Sequence, residues 1–304
     1  MATICITGGT GLIGNALAQY LSAKGHAIII LTRNKDAAQN GNVSYAHWDV
    51  EKKIIDHKAI AAADYIIHLA GANVAEKRWT DKRKAEILSS RVQSGLLLVK
   101  SLEETPNKVK AVISASAIGW YGPHHGTPFT ETDPCHNDYL GNTCRQWEEA
   151  IDPVTALGIR LVKLRTGIVL SNSAGAFAEF KKPLRFGLVT VLGSGNQMIS
   201  WIHIDDICRM YEYAMEHEQI NGIYNAVAPN PASNKDLNLT LAKKIKGKAY
   251  ISIPVPAFVL KLVLGEMSIE VLKSATVSSA KIQKEGFQFL YPTIDAALNE
   301  LIRP

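Results

Sequence analysis

Thr7-Gly8-Gly9-Thr10-Gly11-Leu12-Ile13-Gly14 is the stretch on which the fold is decided. The apolar run Thr3–Thr7 before it reads as a strand, and Leu12–Lys24 after it as an amphipathic helix. Gly8 lets the chain turn sharply out of the strand. Gly11 lets the backbone approach a pyrophosphate, and Gly14 lets the helix pack closely against the sheet. The N–H groups of Thr10, Leu12 and Ile13 then face the phosphates of a dinucleotide at the helix start. The next strand, Ala27–Thr32, ends in Thr32-Arg33. An acidic residue there would bind ribose hydroxyls and favour NAD. A guanidinium there makes paired, charge-assisted bonds to a 2′-phosphate, so Arg33 favours NADP(H).

Further β-rich runs at Tyr65–Leu69, Ala111–Ser116 and Arg160–Leu164 alternate with helical patterns at Thr80–Glu103 and Leu140–Leu157. Near-continuous apolar strands between helices predict a parallel sheet covered on both faces, a doubly wound α/β Rossmann fold. After Arg165 the pattern loosens. Two short strands are expected in 172–199, a helix–strand pair at Asp205–Glu216 and Gly222–Ala226, and a mostly helical tail from Pro229. The expected division is a cofactor domain of residues 1–167 with 200–228, and a smaller, discontinuous α/β C-terminal substrate lobe of 168–199 with 229–304. Leu69-Ala70-Gly71 closes a central strand with small residues over which a cofactor can lie.

The chain has 304 residues, 47% of them hydrophobic and 20% charged, which excludes a disordered protein. The net charge of +5 is modest, and no aromatic residues interleave the basic clusters at Lys77-Arg78, Lys82-Arg83-Lys84, Lys181-Lys182 and Lys243–Lys248. Nucleic acid is therefore not the expected partner; the clusters read as solvated helix faces and loop ends, or as contacts for an acidic ligand such as a phosphorylated cofactor or substrate. Cys5, Cys135, Cys144 and Cys208 form no CxxC pair and, with the histidines, no metal-ligand spacing. Reduced thiols and a cytoplasmic setting are expected, with no metal. The chain opens directly into strand-like sequence, and its apolar stretch Val255–Leu264 is too short to span a membrane.

The chain resembles the extended short-chain dehydrogenase/reductase superfamily, its nucleoside-diphosphate-sugar epimerase branch in particular. Within that branch it is most similar to a group called the epimerase family. The motifs that carry the resemblance span nearly the whole chain: TGGTGLIG at 7–14, LAGA at 69–72, Arg78-Trp79-Thr80, Ser90-Arg91, SASAIGWYG at 114–122, Trp147-Glu148 and Gly193-Ser194-Gly195. Trp201-Ile202-His203-Ile204-Asp205-Asp206 follows, then LGEM at 264–267 and the tail motif from Gly286 to Thr293, which looks like the group's small C-terminal domain. The resemblance implies cofactor contacts at Thr32, Arg33, Leu69, Ala70, Glu86 and Arg91.

It also implies a Tyr-x-x-x-Lys pair with an upstream Ser or Thr, in which the Lys lowers the Tyr pKa for proton transfer during hydride transfer. Here the sequence departs from the pattern. Four residues after Tyr139 stands Thr143, and a shift of one residue pairs Leu140 with Cys144. Either way the Lys is missing, and a phenol near its reference pKa of ~10 is a poor base at neutral pH. The candidates for the chemistry are Ser116, although alignment on Tyr121-Gly122 puts Ala117 in that place, and the phenols of Tyr121 and Tyr139. Arg165, at a strand's carboxyl end, and the cluster Gln197, Ser200, Trp201 and His203 are the expected substrate contacts. His203 reads equally as a structural residue beside the helix-capping Asp205 and Asp206. Two functions are expected from this set. One is an NADP(H)-dependent oxidoreductase or epimerase-like enzyme for a small hydroxylated or carbonyl substrate, nucleotide-sugars included. The other is a catalytically degenerate NADP(H)-binding sensor or regulatory protein.

Overall fold

The computed structural model describes residues 1–34, 41–123 and 126–303. The first half runs β1 (Thr3–Thr7), α1 (Leu12–Ala23), β2 (Ala27–Thr32), β3 (Val43–Asp49), β4 (Ile54–Ile55), α2 (His57–Ala62), β5 (Tyr65–His68), α3 (Asp81–Glu104), β6 (Ala111–Ala117), α4 (Tyr139–Ile151) and β7 (Arg160–Thr166). β8 (Ile168–Leu170), α5 (Ala176–Leu184), β9 (Leu188–Leu192), β10 (Met198–Ile199), β11 (Trp201–His203), α6 (Ile204–Glu216) and β12 (Gly222–Ala226) follow. The tail holds β13 (Ala232–Ser233), α7 (Asn234–Lys246), β14 (Ile251–Val255), α8 (Ala257–Leu264), α9 (Ser268–Leu272), α10 (Ala280–Lys284) and α11 (Ile294–Leu301).

Eight strands form the main sheet in the order β12-β7-β6-β5-β1-β2-β3-β4, and every pairing but β3–β4 is parallel. The winding reverses between β1 and β5. That reversal opens a crevice above the carboxyl ends of the central strands, where α/β sheets bind ligands. Strand alternation sorts the apolar side chains into two cores. Ile4, Ile6, Ile28, Ile67 and Val162 pack with Leu17 of α1 and Met210 of α6. Cys5, Ile66, Val112 and Leu161 point the other way, onto Ile60 of α2, Leu98 of α3 and Ile151 of α4.

The expected helix Leu140–Leu157 divides in two. α4 stops at Ile151, and Asp152–Leu157 tightens into a 3₁₀ turn. Pro153 explains the break, because it has no N–H to continue the α-helical ladder. β3 and β4 had no counterpart in the sequence reading. β3 is only half-buried, so its apolar and polar residues give no clean period.

After Gly167 the chain leaves the main sheet and returns to it with β12. Three two-stranded pairings, β8–β11, β9–β14 and β10–β13, join α5, α7 and α11 around a third core that contains Phe177, Val189, Trp201, Leu237, Leu241 and Leu298. Asp206, fully buried near the start of α6, binds the tail: its carboxylate accepts from the Leu290 and Tyr291 N–H groups at 2.8 and 2.9 Å. No helix among the described residues is long and apolar enough to cross a membrane.

Candidate functional site

The glycine loop makes its turn with Gly8 at φ +67, where a Cβ would lie 2.8 Å from the Leu69 carbonyl carbon. Thr7 braces the turn from beneath. Its hydroxyl meets His68 Nδ1 at 2.9 Å and accepts from the Leu69 and Ala70 N–H groups at 3.0 and 3.2 Å. A Cβ on Gly14 would run into the Gly8 carbonyl oxygen and sit 2.6 Å from Gly9 Cα. This glycine therefore lets α1 close onto the loop itself, a nearer partner than the sheet. No side chain caps α1, and no acidic residue stands in its first turn. The first N–H groups of the helix are thus available to an anion.

Above the loop lies a cleft of about 490 Å³. Gly8 and Thr10 form its floor. Thr32 and Arg33 close one end, Ala70, Gly71 and Ala72 the other, and Glu86, Ser89 and Ser90 of α3 form a wall. The end of β3 adds Trp48 and Asp49, and the turn after it adds Lys53. Arg33 is exposed, and no carboxylate pairs with it among the described residues. Lys53 is a second exposed cation on the same cleft, and the sequence reading missed it along with β3. The tyrosine and tryptophan of Val43–Asp49 were the available signal.

The remaining residues expected at the cofactor support this cleft from behind. Leu12 approaches Gly175 at the start of α5, and Ile13 packs on the first core. Gly11 is exposed on the loop, its N–H donating to the Gly8 carbonyl at 3.0 Å. Leu69 lies partly buried beside Ala70. Arg91 is buried under Gly71. Its Nη1 donates to the carbonyls of Ala72 and Ile87 at 3.0 and 2.9 Å, and its guanidinium lies 4.8 Å from the Trp147 ring centroid. Glu86 lines the cleft while held 2.8 Å from Arg83, a buried cation that also meets Glu76. The basic cluster at 82–84 is therefore largely neutralised, Lys84 pairing with Glu266 and Asp81.

At the carboxyl ends of β6 and β7 the picture is different. Glu148, 4% exposed, accepts from Ser116 Oγ at 2.6 Å and from Arg165 Nε and Nη2 at 2.8 and 3.1 Å. Lys163 Nζ stands 3.7 Å from the same carboxylate. Arg165 Nη1 donates to the Tyr121 hydroxyl at 3.1 Å, and that hydroxyl donates to Asn225 Oδ1 at 2.7 Å. The Arg165 guanidinium covers the Trp120 ring at 3.6 Å. Tyr121 is fully buried, and burial pushes its phenol up to about 12. Ser116, Tyr121 and Arg165 thus come together, but as a closed framework and not on an open wall. Tyr139 lies apart from them at the start of α4. Its hydroxyl donates to the Lys84 carbonyl at 3.0 Å, and burial raises its pKa. Thr143 in the lysine's place donates to the Tyr139 carbonyl, and Cys144 is a buried thiol pushed up to about 12 by desolvation.

The other expected substrate contacts are also internal, each buried and bonded within the protein. Gln197 Nε2 donates to the Leu192 carbonyl at 2.9 Å. Ser200 Oγ bonds the Ala275 carbonyl and the Val277 N–H, each at 2.9 Å. Trp201 Nε1 donates to the Asn230 carbonyl at 3.1 Å. His203 caps α6, accepting from the Asp205 N–H at 3.1 Å, and burial lowers its pKa to about 4. Ser200 and Trp201 thereby tie the start of β11 to the chain that follows β12. The residue group of metal-ligand type among those described, His26, Glu212 and Glu216, already engages Glu212 with Lys24 and Tyr20 at 2.6 Å each.

Comparison with known proteins matches residues 4–226 to the NAD dependent epimerase/dehydratase family and residues 255–301 to a domain of unknown function, DUF1731. The Epimerase family protein YfhF of Bacillus subtilis is 35% identical over 98% of this chain and 97% of its own length. A Staphylococcus aureus Epimerase family protein, SAR0825, is 36% identical over 99% of both chains. Among solved structures, the human epimerase family protein SDR39U1 with NADPH superposes with a TM-score of 0.86 at 29% identity, covering 98% of each chain. A nucleoside-diphosphate sugar epimerase from Corynebacterium glutamicum gives 0.79 at 31% identity, covering 99% of this chain and 58% of that longer one.

Proposed function

The chain belongs to the NAD dependent epimerase/dehydratase family, and from that premise we propose that it binds NADP(H) in the cleft over the Gly8–Gly14 loop and acts as an oxidoreductase or epimerase-like enzyme. The observation that carries the choice of cofactor is Arg33. It is an exposed guanidinium at the end of β2, on the cleft wall, where a 2′-phosphate would meet it. The residues present fit such a cofactor. The uncapped start of α1 would receive the pyrophosphate, Ala70-Gly71 leaves room above β5, and Lys53 adds a second positive charge on the same cleft as Arg33. The NADPH in the human relative supports the same reading.

When bound, the nicotinamide supplies or accepts a hydride at its C4. The chain's part is to hold it at the carboxyl ends of β5 and β6 and to shield it with the lobe of 168–199 and 229–304, to which we assign selection of a small hydroxylated or carbonyl substrate. The name of the Corynebacterium relative supports nucleotide sugars as one such class. The free thiols fit a cytoplasmic setting. Titration of NADPH and NADH into wild type and Arg33→Asp tests the assignment. Loss of charge-assisted bonds should weaken NADPH roughly 10- to 100-fold and leave NADH within about threefold. Equal weakening of both overturns it.

A second reading, a cofactor-binding sensor without turnover, is favoured by the closed state of Ser116 and Tyr121 and by Thr143 in the place of the lysine. NADPH oxidation followed at 340 nm across a panel of aldehydes and ketones separates the two.

A further inference from the structure

We propose that His136, oriented by Asp138, is the proton donor and acceptor for hydride transfer, in the role that Tyr-x-x-x-Lys fills elsewhere in the superfamily. The inference rests on the cofactor reading above. A dinucleotide whose 2′-phosphate meets Arg33 over β2 crosses β1 and β5 and reaches β6. The adjacent order β2-β1-β5-β6 makes that three strand spacings, about 14 Å. The nicotinamide end would then fall at the carboxyl end of β6, where Ala117 leads into the turn Ile118–Trp120 and then Gly122.

His136 is held at that end. Its N–H donates to the Trp120 carbonyl at 2.8 Å, and its ring lies so close on Gly122 that a Cβ there would be 2.5 Å from Cδ2. His136 Nδ1 meets Asp138 Oδ2 at 2.9 Å. Asp138 is itself fixed, because its other oxygen caps α4 by accepting from the Gly141 N–H at 2.7 Å. With Nδ1–H given to the carboxylate, the ring is set in one tautomer and orientation, the arrangement that lets an imidazole act as acid and base at its far nitrogen. Nε2 has no protein partner among the described residues, and the side chain is 44% exposed, so solvent can reload it.

The charged groups facing the dyad come from its own loop and from the second lobe. Lys273 Nζ lies 3.6 Å from Asp138 Oδ2 and 3.3 Å from Glu270 Oε1. Burial works against the Asp138 carboxylate, yet the Gly141 N–H, His136 and Lys273 hold its pKa below the usual range. The dyad thus keeps an ionised orienter.

The step balances without another co-reactant. A substrate carbonyl carbon accepts hydride from the reduced nicotinamide, the C=O π pair moves to oxygen, and that oxygen takes the Nε2 proton. The products are an alcohol, oxidised nicotinamide and neutral imidazole, which regains its proton from water. The reverse direction uses neutral His136 as base.

The test uses wild type, His136→Gln and Asp138→Asn, the last of which keeps the helix cap. NADPH should bind all three within about twofold. Failure to bind wild type would overturn the cofactor reading itself, and the dyad's role with it. The imidazole C–H resonance of His136, assigned by its loss in His136→Gln, should shift on saturation with NADP⁺. A resonance indifferent to NADP⁺ despite normal binding overturns the proposal, and it decides alone if no panel carbonyl is reduced. Any turnover found should drop by about 100-fold or more in His136→Gln and about tenfold in Asp138→Asn, with the acid limb of the pH profile displaced. Turnover retained in His136→Gln also overturns it.

Discussion

The cleft over β1, β2 and β5 and the cluster at the ends of β6 and β7 are built from similar residue types put to opposite uses. In the cleft, Arg33 and Lys53 are exposed, and the first N–H groups of α1 lack a side-chain cap. At the cluster, Arg165, Lys163, Glu148, Ser116 and Tyr121 are buried and answer one another. Charge that is left open recruits a ligand; charge that is closed on itself fixes a framework. The family's expected chemistry therefore cannot be assigned to polar residues by their place in the chain alone. Those at the expected place are engaged with the protein.

Removing Glu148 is the strongest way to break this contrast. Glu148→Ala leaves Arg165 and Lys163 without their shared buried carboxylate, and urea unfolding should show a loss of about 3–5 kcal/mol. If NADPH affinity of the folded fraction stays unchanged, the two regions are independent. A loss below about 1 kcal/mol would mean that the cluster is not a framework at all.

Gly14→Val attacks the open region by the opposite route, forcing a side chain into the Gly8–Gly9 backbone. Overpacking should cost about 1–3 kcal/mol in thermal or urea unfolding and remove NADPH binding. Intact binding in this variant would refute the close approach of α1 to its loop.

Acid sharpens the contrast further, because two buried rings stand on either side of it. Burial lowers His68 and His203 from 6.5 to about 4 in the folded protein. Both bind protons more readily when unfolded. Their contribution is thus complete above the unfolded value and is lost as pH falls from about 6.5 towards about 4. The expected slope is about 1.4 kcal/mol per pH unit for each ring, read from urea midpoints. His68→Asn should remove one ring's share; an unchanged slope would place His68 outside the linkage. Tyr121→Phe is the mildest change. Losing the hydroxyl to Asn225 should cost about 1 kcal/mol and leave cofactor binding intact. A much larger loss of turnover than of stability would return Tyr121 to the chemistry.

The sequence was informative wherever a local constraint leaves its mark in residue type. Gly8 and Gly14 are glycines because nothing larger fits, and the isoleucines of β1 and β2 repeat the burial of a two-faced sheet. It was less informative where burial is partial, as in β3, whose Trp48 and Asp49 line the cleft. It left the partner open where a polar residue has several to choose from. Arg165, Gln197, Ser200, Trp201 and His203 stand at suggestive places along the chain, yet each is turned inward.

By itself, then, the amino-acid order determined the doubly wound sheet, the glycine loop and the cation at the end of β2. All three follow from backbone freedom and hydrophobic period within a few residues. Only the tertiary structure decided which polar groups remain open. Pairing Glu148 with Arg165 joins α4 to β7, and setting Asp138 beside Lys273 joins the loop after β6 to the chain after α9. Such contacts depend on how separate elements meet, and no local pattern in the chain encodes that.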